Sequence, residues 1–257
     1  MNGISRLARV RVALRMLSMQ AAWNFERLQN LGWAWCMQPG LNELYPDPAE
    51  RAKALRRHLE LFNTHPYMAG YVAGAALRAE AEVAAGTAEP ARVAALKSGL
   101  APALAAMGDS FFWATLRPSA AMLAVAWLWL APHPWQLASP FVFLLAYNLP
   151  SLWLRLRSVE HGWNQGEQVA MHIVRMRLPA VAEGLRIAAL ILAGGLAGSL
   201  ARIVHPATGE AVPLLDNFAF LGAGLGMLLL LRLALRPAAI LLFIVVGTLV
   251  LAVTVPH

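Results

Sequence analysis

The sequence predicts an all-α integral membrane protein, with amphipathic and short broken helices in its N-terminal half and about five transmembrane helices in its C-terminal half. Three observations carry this reading. The 257 residues are 59% hydrophobic and only 14% charged, whereas soluble domains carry about 25% charge. The apolar residues gather into runs beyond residue 118. The 19 glycines and 16 prolines fall within and between those runs, as they do in helices that are short or interrupted.

The elements follow in order. Arg6, Arg9, Arg11 and Arg15 alternate with Leu, Val, Ile and Met, the pattern of a helix resting on an anionic cytoplasmic leaflet. No uninterrupted apolar stretch or small-residue cleavage site follows them, so a cleavable signal peptide is not expected. Cys36 is the single cysteine, so an intrachain disulfide, a structural zinc cluster and a redox pair are all excluded; beside Trp33 and Trp35 it reads as a small buried residue. Asp47-Pro48-Ala49-Glu50 supplies an N-cap, a first-turn proline and an early acid for a helix running to Phe62. Residues 67–85 and 91–107 read as Ala-rich helices for close packing, joined by a loop at Gly86-Thr87-Ala88-Glu89-Pro90.

Composition divides the chain near residue 118. Residues 1–117 hold 13 of the 21 basic and 9 of the 14 acidic residues, giving an amphipathic N-terminal region with polar core motifs and re-entrant helices, and 118–257 forms a transmembrane helical region. In the latter the apolar runs are about 118–131, 139–154, 187–203, 216–232 and 237–255. Only the last approaches the ~20 residues that span hydrocarbon unaided. The loop from Arg155 to Arg186 carries five arginines and the connection Arg232 to Arg236 two, whereas Pro132 to Ala138 carries none. The positive-inside rule then predicts a cytoplasmic N-terminus, five crossings and an external C-terminus. The formal charge of +7 is spread as short clusters flanking apolar runs, which is not the continuous basic face of a nucleic-acid binder.

Four polar islands interrupt this apolar chain. The first is Trp23-Asn24-Phe25-Glu26-Arg27-Leu28-Gln29-Asn30-Leu31-Gly32, read as an amphipathic helix with Glu26 and Asn30 on one face. The second is Leu61-Phe62-Asn63-Thr64-His65-Pro66-Tyr67, where Pro66 biases the backbone out of helix and polar groups must be buried in protein or line a cavity. His65 alone reads first as a capping or packing histidine, since no acid-base partner stands at a suggestive spacing. The third is Gly108-Asp109-Ser110-Phe111-Phe112-Trp113-Ala114-Thr115-Leu116-Arg117-Pro118: a carboxylate, a hydroxyl and three rings make a sugar-binding wall, or else Asp109 and Arg117 are boundary charges. The fourth, Tyr147-Asn148-Leu149-Pro150-Ser151-Leu152-Trp153-Leu154-Arg155, reads as a helix end with an aromatic belt and a cytoplasmic Arg anchor, which leaves Asn148 unexplained.

The sequence contains no phosphate loop, no His-Glu-x-x-His and no nucleophile turn. No catalytic residue, metal or cofactor is expected. The available chemistry is hydrogen bonding to a polar ligand inside a membrane protein.

At these islands the chain resembles the enzyme IID component of the mannose/fructose/sorbose class of sugar phosphotransferase systems. Asn24-Phe25-Glu26-Arg27-Leu28-Gln29-Asn30-Leu31-Gly32, His58-Leu59-Glu60-Leu61-Phe62-Asn63-Thr64-His65-Pro66-Tyr67, Gly108 to Trp113 with Thr115-Leu116-Arg117-Pro118, and Tyr147-Asn148-Leu149-Pro150 match in the family's order over about residues 20–170. The resemblance implies pairing with a separate membrane subunit, IIC, in oligomers of IIC–IID pairs, with an alternating-access movement of a core domain. It further implies soluble IIA and IIB subunits that carry the phosphoryl group on histidines, IIB passing it to a hexose delivered to the cytoplasm, so that no phosphorylated residue is expected in this chain itself. Where the family has Gly-Pro-Leu-Ala-Gly, this chain reads Ala101-Pro102-Ala103-Leu104-Ala105, without the glycines' backbone freedom.

The expected function is therefore a IID subunit in the bacterial cytoplasmic membrane that binds and translocates a hexose together with IIC. Asn24, Glu26, Gln29, Asn63, His65, Asp109 and Ser110 are expected near substrate or gate, with Arg27 and Arg117 as structural ion partners. The competing expectation is a transport-inactive scaffold or regulatory membrane subunit derived from such a permease.

Overall fold

The computed structural model describes residues 3–201, and these are helical with irregular connections and no β-strand beyond isolated bridges. The apolar runs expected at 216–232 and 237–255, and the external C-terminus, lie outside the described residues. The chain divides into two units, Met1–Ala189 and Leu190–His257.

Helix α1 (Arg6–Met16) starts where the Ser5 hydroxyl accepts the Ala8 amide at 3.1 Å, satisfying one of the first-turn donors that a helix leaves open. Ala8, Val12, Ala13 and Met16 form its buried stripe. Leu7, Val10 and Leu14 are exposed on the other side together with Arg6 and Arg11. Arg9 ties α1 to a distant part of the chain through an ion pair with Glu160 at 2.7 Å. Helix α2 (Asn30–Leu44) buries Trp33, Cys36, Met37 and Leu41, and burial pushes the Cys36 thiol up to about 12, leaving it an inert packing group.

Helix α3 (Pro48–His58) begins as expected: the Asp47 carboxylate accepts the amides of Ala49 and Glu50 at 3.3 and 3.2 Å, with Pro48 in the first turn. It ends four residues before Phe62. Helix α4 (Ala69–Ala84) is almost wholly buried and packs against α7 (Ser139–Gln165) through small residues. A Cβ at Gly74 would overlap the Val159 carbonyl, and one at Gly162 would overlap the Tyr71 carbonyl. Each helix thus receives the other's backbone at a glycine, the close approach that membrane helices use.

Helix α5 (Ala91–Gly108) runs without a break into a π-helix (Asp109–Leu116) and then into α6 (Arg117–Leu130). Among the described residues, Ala91–Leu130 and Trp135–Leu196 contain two helices long and apolar enough to cross a membrane. The second is largely unburied within this chain. Trp127, Trp129 and Trp135 gather where α6 gives way to α7, and Trp153 stands midway along α7, all exposed.

Two expectations about local structure are corrected. The stretch Arg155 to Arg186 is largely helical: α7 continues to Gln165, α8 spans Val169–Arg175, and α9 (Leu178–Ala201) begins well before residue 187. The arginines do not end α7 because each has a local outlet: Arg155 donates to the Met16 and Leu17 carbonyls and Arg157 lies over the Trp153 ring. Nor is the first island a helix from its start. Helix α2 begins only at Asn30, so Glu26 and Asn30 share no helical face.

Candidate functional site

Local hydrogen bonding explains why the first island leaves the helix. The Asn24 side chain accepts the Arg27 amide at 2.8 Å and donates to Asn30 Oδ1 at 2.7 Å. The Asn24 amide donates to the Leu28 carbonyl at 2.9 Å, with Leu28 at a left-handed φ of 58°. Short polar side chains competing with the backbone in this way favour turns over helix. The tight turn then presents its outer edge to the second island.

The two islands are sewn together at that edge. The Gln29 backbone amide donates to the Phe62 carbonyl at 2.9 Å. The Gln29 side chain pairs twice with Thr64, donating to its carbonyl at 2.9 Å and accepting its amide at 3.0 Å. Asn30 donates to the Leu59 carbonyl at 2.6 Å, and the Thr64 hydroxyl donates to the Ala101 carbonyl of α5 at 2.9 Å. The polar backbone freed by Pro66 is therefore satisfied by protein, as its burial requires.

His65 joins the second island to the third. Its ring stacks on Phe112 at 5.1 Å and 13°, meets Trp113 and Tyr67 edge to face at 5.0 and 5.1 Å, and is only 2% exposed. A Cβ at Gly108 would overlap the His65 Cβ and Cγ, so glycine there is what admits the ring. Desolvation pushes the His65 pKa down to about 4, against an opposing pull from Asp109. Tyr67 reaches the fourth island, its hydroxyl accepting that of Tyr147 at 3.3 Å. All four islands thus converge on the Asn63–Tyr67 knot.

The third island takes π-helical form, a wide turn often found at functional sites. It buries Phe111, Phe112, Thr115 and Leu116. The Thr115 hydroxyl donates to the Ser110 carbonyl at 2.8 Å and accepts Arg186 Nε at 3.1 Å, which clamps the widened turn. Its opposite side presents Asp109, Ser110 and Trp113 outward.

Of the residues expected at the site, Asn24, Gln29 and His65 build the junction, with Gln29 and His65 buried. Glu26, Asn63, Asp109 and Ser110 are exposed at its surface. Arg27 donates to the Leu59 carbonyl at 3.4 Å. Neither Arg27 nor Arg117 pairs with a carboxylate among the described residues, because both stand exposed on the outer side of the junction. Arg155 is not a free anchor but caps the end of α1 and lies over Tyr67. Asn148 donates to the Leu144 carbonyl one turn back, at 2.9 Å.

A second polar centre lies behind the knot and was not legible in the islands. Glu80, on α4 with its side chain fully buried, accepts Arg57 Nε at 2.7 Å and Nη2 at 2.6 Å, His58 Nε2 at 2.8 Å and the Tyr45 hydroxyl at 2.7 Å. Burial alone would raise the Glu80 carboxyl, but these donors outweigh it and hold the group at about 2. Lys97 on α5 donates to the Arg57 carbonyl at 2.8 Å. The network binds α2, α3, α4 and α5 together. Its one sequence signal was an acid on the apolar face of an Ala-rich helix. Among the described residues no group of three or more His, Cys, Asp or Glu could hold a metal ion.

The chain is similar to known proteins along most of its length. The family model for the PTS system mannose/fructose/sorbose family IID component matches residues 3–255. The chain is 34% identical over 197 residues to the PTS system mannose-specific EIID component of Escherichia coli (strain K12), covering 76% of this chain and 68% of that protein. It is 31% identical over 186 residues to the Fructose permease IID component of Bacillus subtilis (strain 168), covering 72% and 66%. Among solved structures it is similar to a chain in "CryoEM Structure of Mannose Transporter ManYZ and Microcin E492 (MceA) complex", with a TM-score of 0.59, 30% identity and coverage of 97% of this chain and 95% of that one. A match along nearly the whole chain and this likeness to a transporter lead to one conclusion: the chain belongs to the mannose/fructose/sorbose family of phosphotransferase-system IID components.

Proposed function

We propose that this protein is the IID half of a sugar-conducting pair in the cytoplasmic membrane of a bacterium, binding and translocating a hexose together with a separate IIC subunit. On this reading soluble IIA and IIB subunits supply the phosphoryl group, and IIB transfers it to the sugar on the cytoplasmic side, where the N-terminus also lies. IIC–IID pairs assemble into larger oligomers. The chain itself binds and moves the substrate.

The observation that carries the reading is the convergence of four polar islands on one knot, with Glu26, Asn63, Asp109 and Ser110 exposed around it. Glu26 and Asp109 have no ion pair among the described residues, so their carboxylates are available to accept sugar hydroxyls. The half-exposed Trp113 ring offers a flat face for the apolar side of a sugar ring. Buried Gln29 and His65, with the half-buried Asn24, hold the backbone that presents these groups, as a preorganised site requires.

The test is hexose uptake into vesicles carrying IIC with this chain, supplied with IIA, IIB and a phosphoryl donor. Asn63→Ala and Asp109→Asn are expected to reduce uptake at least tenfold; uptake at the wild-type level in both variants removes these residues from the pathway. A wild-type assembly that binds IIC but takes up no sugar would establish the scaffold role instead.

A further inference from the structure

Helix α1 has two apolar faces. Its inner stripe, Ala8, Val12, Ala13 and Met16, is buried against the protein. Its outer stripe, Leu7, Val10, Leu14 and Leu17, is between 38 and 58% exposed, and the spacing i, i+3, i+7 and i+10 sets these four side chains on one side of the helix. Fraying does not account for the exposure, because α1 is pinned at both ends. Ser5 donates to the Glu43 carboxylate from its amide at 2.6 Å and from its hydroxyl at 2.7 Å, and Arg155 donates to the Met16 and Leu17 carbonyls at 3.0 Å.

The charges beside the outer stripe are all of one sign. Arg11 stands one turn from both Leu7 and Leu14, and Arg6 one turn from Val10, so the two arginines edge the stripe on opposite sides. Both are exposed, and neither side chain has a hydrogen bond or ion pair among the described residues. Arg15, one turn beyond Arg11, lies 4.6 Å over the exposed Trp35 ring of α2 and donates to the Trp35 carbonyl at 2.8 Å. Helix α1 contains no acidic residue, and the one arginine of α1 that meets a carboxylate, Arg9, does so against the protein.

Eleven helical residues extend about 16 Å, roughly half of the ~30 Å hydrocarbon core, so α1 is too short to cross a bilayer and meets lipid along its side. A bilayer surface matches both features of the outer face at once. Acyl chains receive the apolar stripe, while the phosphate layer meets guanidiniums whose aliphatic stems reach up from each edge. A protein partner would have to bring carboxylates to both edges of an apolar groove. We propose that the outer face of α1, continued at its Arg15 edge by Trp35, is an interfacial ledge that inserts into one leaflet and binds the phosphodiester groups of anionic phospholipids through Arg6 and Arg11. The arginine pattern in the sequence expected a helix on an anionic leaflet; the structure assigns the face, sets Arg9 apart as a protein-facing group and adds Trp35. The ledge fixes the height of the N-terminal half against the membrane, since α1 is joined to α2 through Glu43 and to α7 through Glu160 and Arg155.

The test has two readouts on the full chain, neither of which needs sugar. In the first, Val10→Cys carries a nitroxide, Cys36 being buried, and the protein sits in nanodiscs of phosphatidylcholine mixed with phosphatidylglycerol. The label is expected to admit oxygen and to exclude a water-soluble nickel chelate. In the second, phosphatidylglycerol binding to the detergent-solubilised chain is measured by native mass spectrometry. Arg6→Gln and Arg11→Gln are each expected to weaken it about fivefold, and the double variant should keep wild-type thermal stability because neither side chain has a partner in the protein. A label open to nickel leaves the stripe in water and overturns the ledge. A label closed to both probes, with or without added IIC, makes this face a protein interface and overturns it as well. Unchanged phosphatidylglycerol binding in the double variant overturns the headgroup contact.

Discussion

The indole Nε1–H of Trp33 donates to Nδ1 of His58 across 3.1 Å, and since an indole nitrogen can only donate, this contact fixes the proton of His58 on Nε2, facing Glu80. Burial lowers the His58 pKa in the same direction. The ring is a neutral bridge, and Arg57 supplies the charge that balances Glu80. One aromatic residue on α2 therefore sets the protonation state of a network that reaches α4.

Removing Glu80 strands the Arg57 guanidinium and two neutral donors. Breaking a buried pair by deleting one partner costs about 3–5 kcal/mol, whereas losing one neutral hydrogen bond costs about 1–2 kcal/mol. Thermal unfolding in detergent is expected to show a much larger loss for Glu80→Ala than for Trp33→Phe once the latter's small change in packing is allowed for. A reversed order would show that the network is incidental to stability.

Stability is expected to fall as the medium is acidified below about pH 6.5. His58 and His65 are held neutral by burial, His65 down to about 4, while the unfolded chain takes up these protons near 6.5. Between those values the unfolded state binds more protons, so lowering the pH favours it. Glu80, held at about 2 against an ordinary 4.5, contributes fully above pH 4.5 and loses its contribution between there and pH 2. Unfolding followed from pH 8 to 4 checks the first window, and His65→Phe should flatten part of its slope.

Two glycines of α5 should respond oppositely to alanine. A Cβ at Gly108 would overlap His65, whereas at Gly99 nothing stands within 4 Å. Gly108→Ala is expected to cost about 1–3 kcal/mol through overpacking and to shift Trp113 fluorescence as the His65 ring moves. Gly99→Ala is expected to gain up to about 1 kcal/mol from helix propensity. Similar behaviour of the two would mean that His65 is not confined as described.

The π-helical turn should loosen when its clamp is cut. Thr115→Val removes the bond to the Ser110 carbonyl and the acceptor of Arg186, and one net hydrogen bond is worth about 1 kcal/mol. Amide exchange over residues 109–116 is expected to quicken roughly fivefold, with the ends of α5 unchanged. Unchanged exchange would place the cause of the wide turn in aromatic packing alone.

By itself the sequence determined the class of protein, the α3 cap and the four islands. These are properties of neighbours along the chain: apolar density, a carboxylate two and three residues before open amides, and a proline that ejects the backbone from helix. Tertiary structure decided what the islands do. Asn24 and Leu28 turned a stretch with helical spacing into a tight turn because a nearby carbonyl outcompeted the helical bond, and Gln29 then found Thr64, 35 residues away. Glu80 carried no visible partner in sequence because its donors come from two other helices, and only burial makes their meeting obligatory. The π-turn likewise depends on Arg186, 71 residues beyond Thr115. Local free energies are written in consecutive residues, but the cost of hiding a polar group is settled by whatever the fold brings beside it.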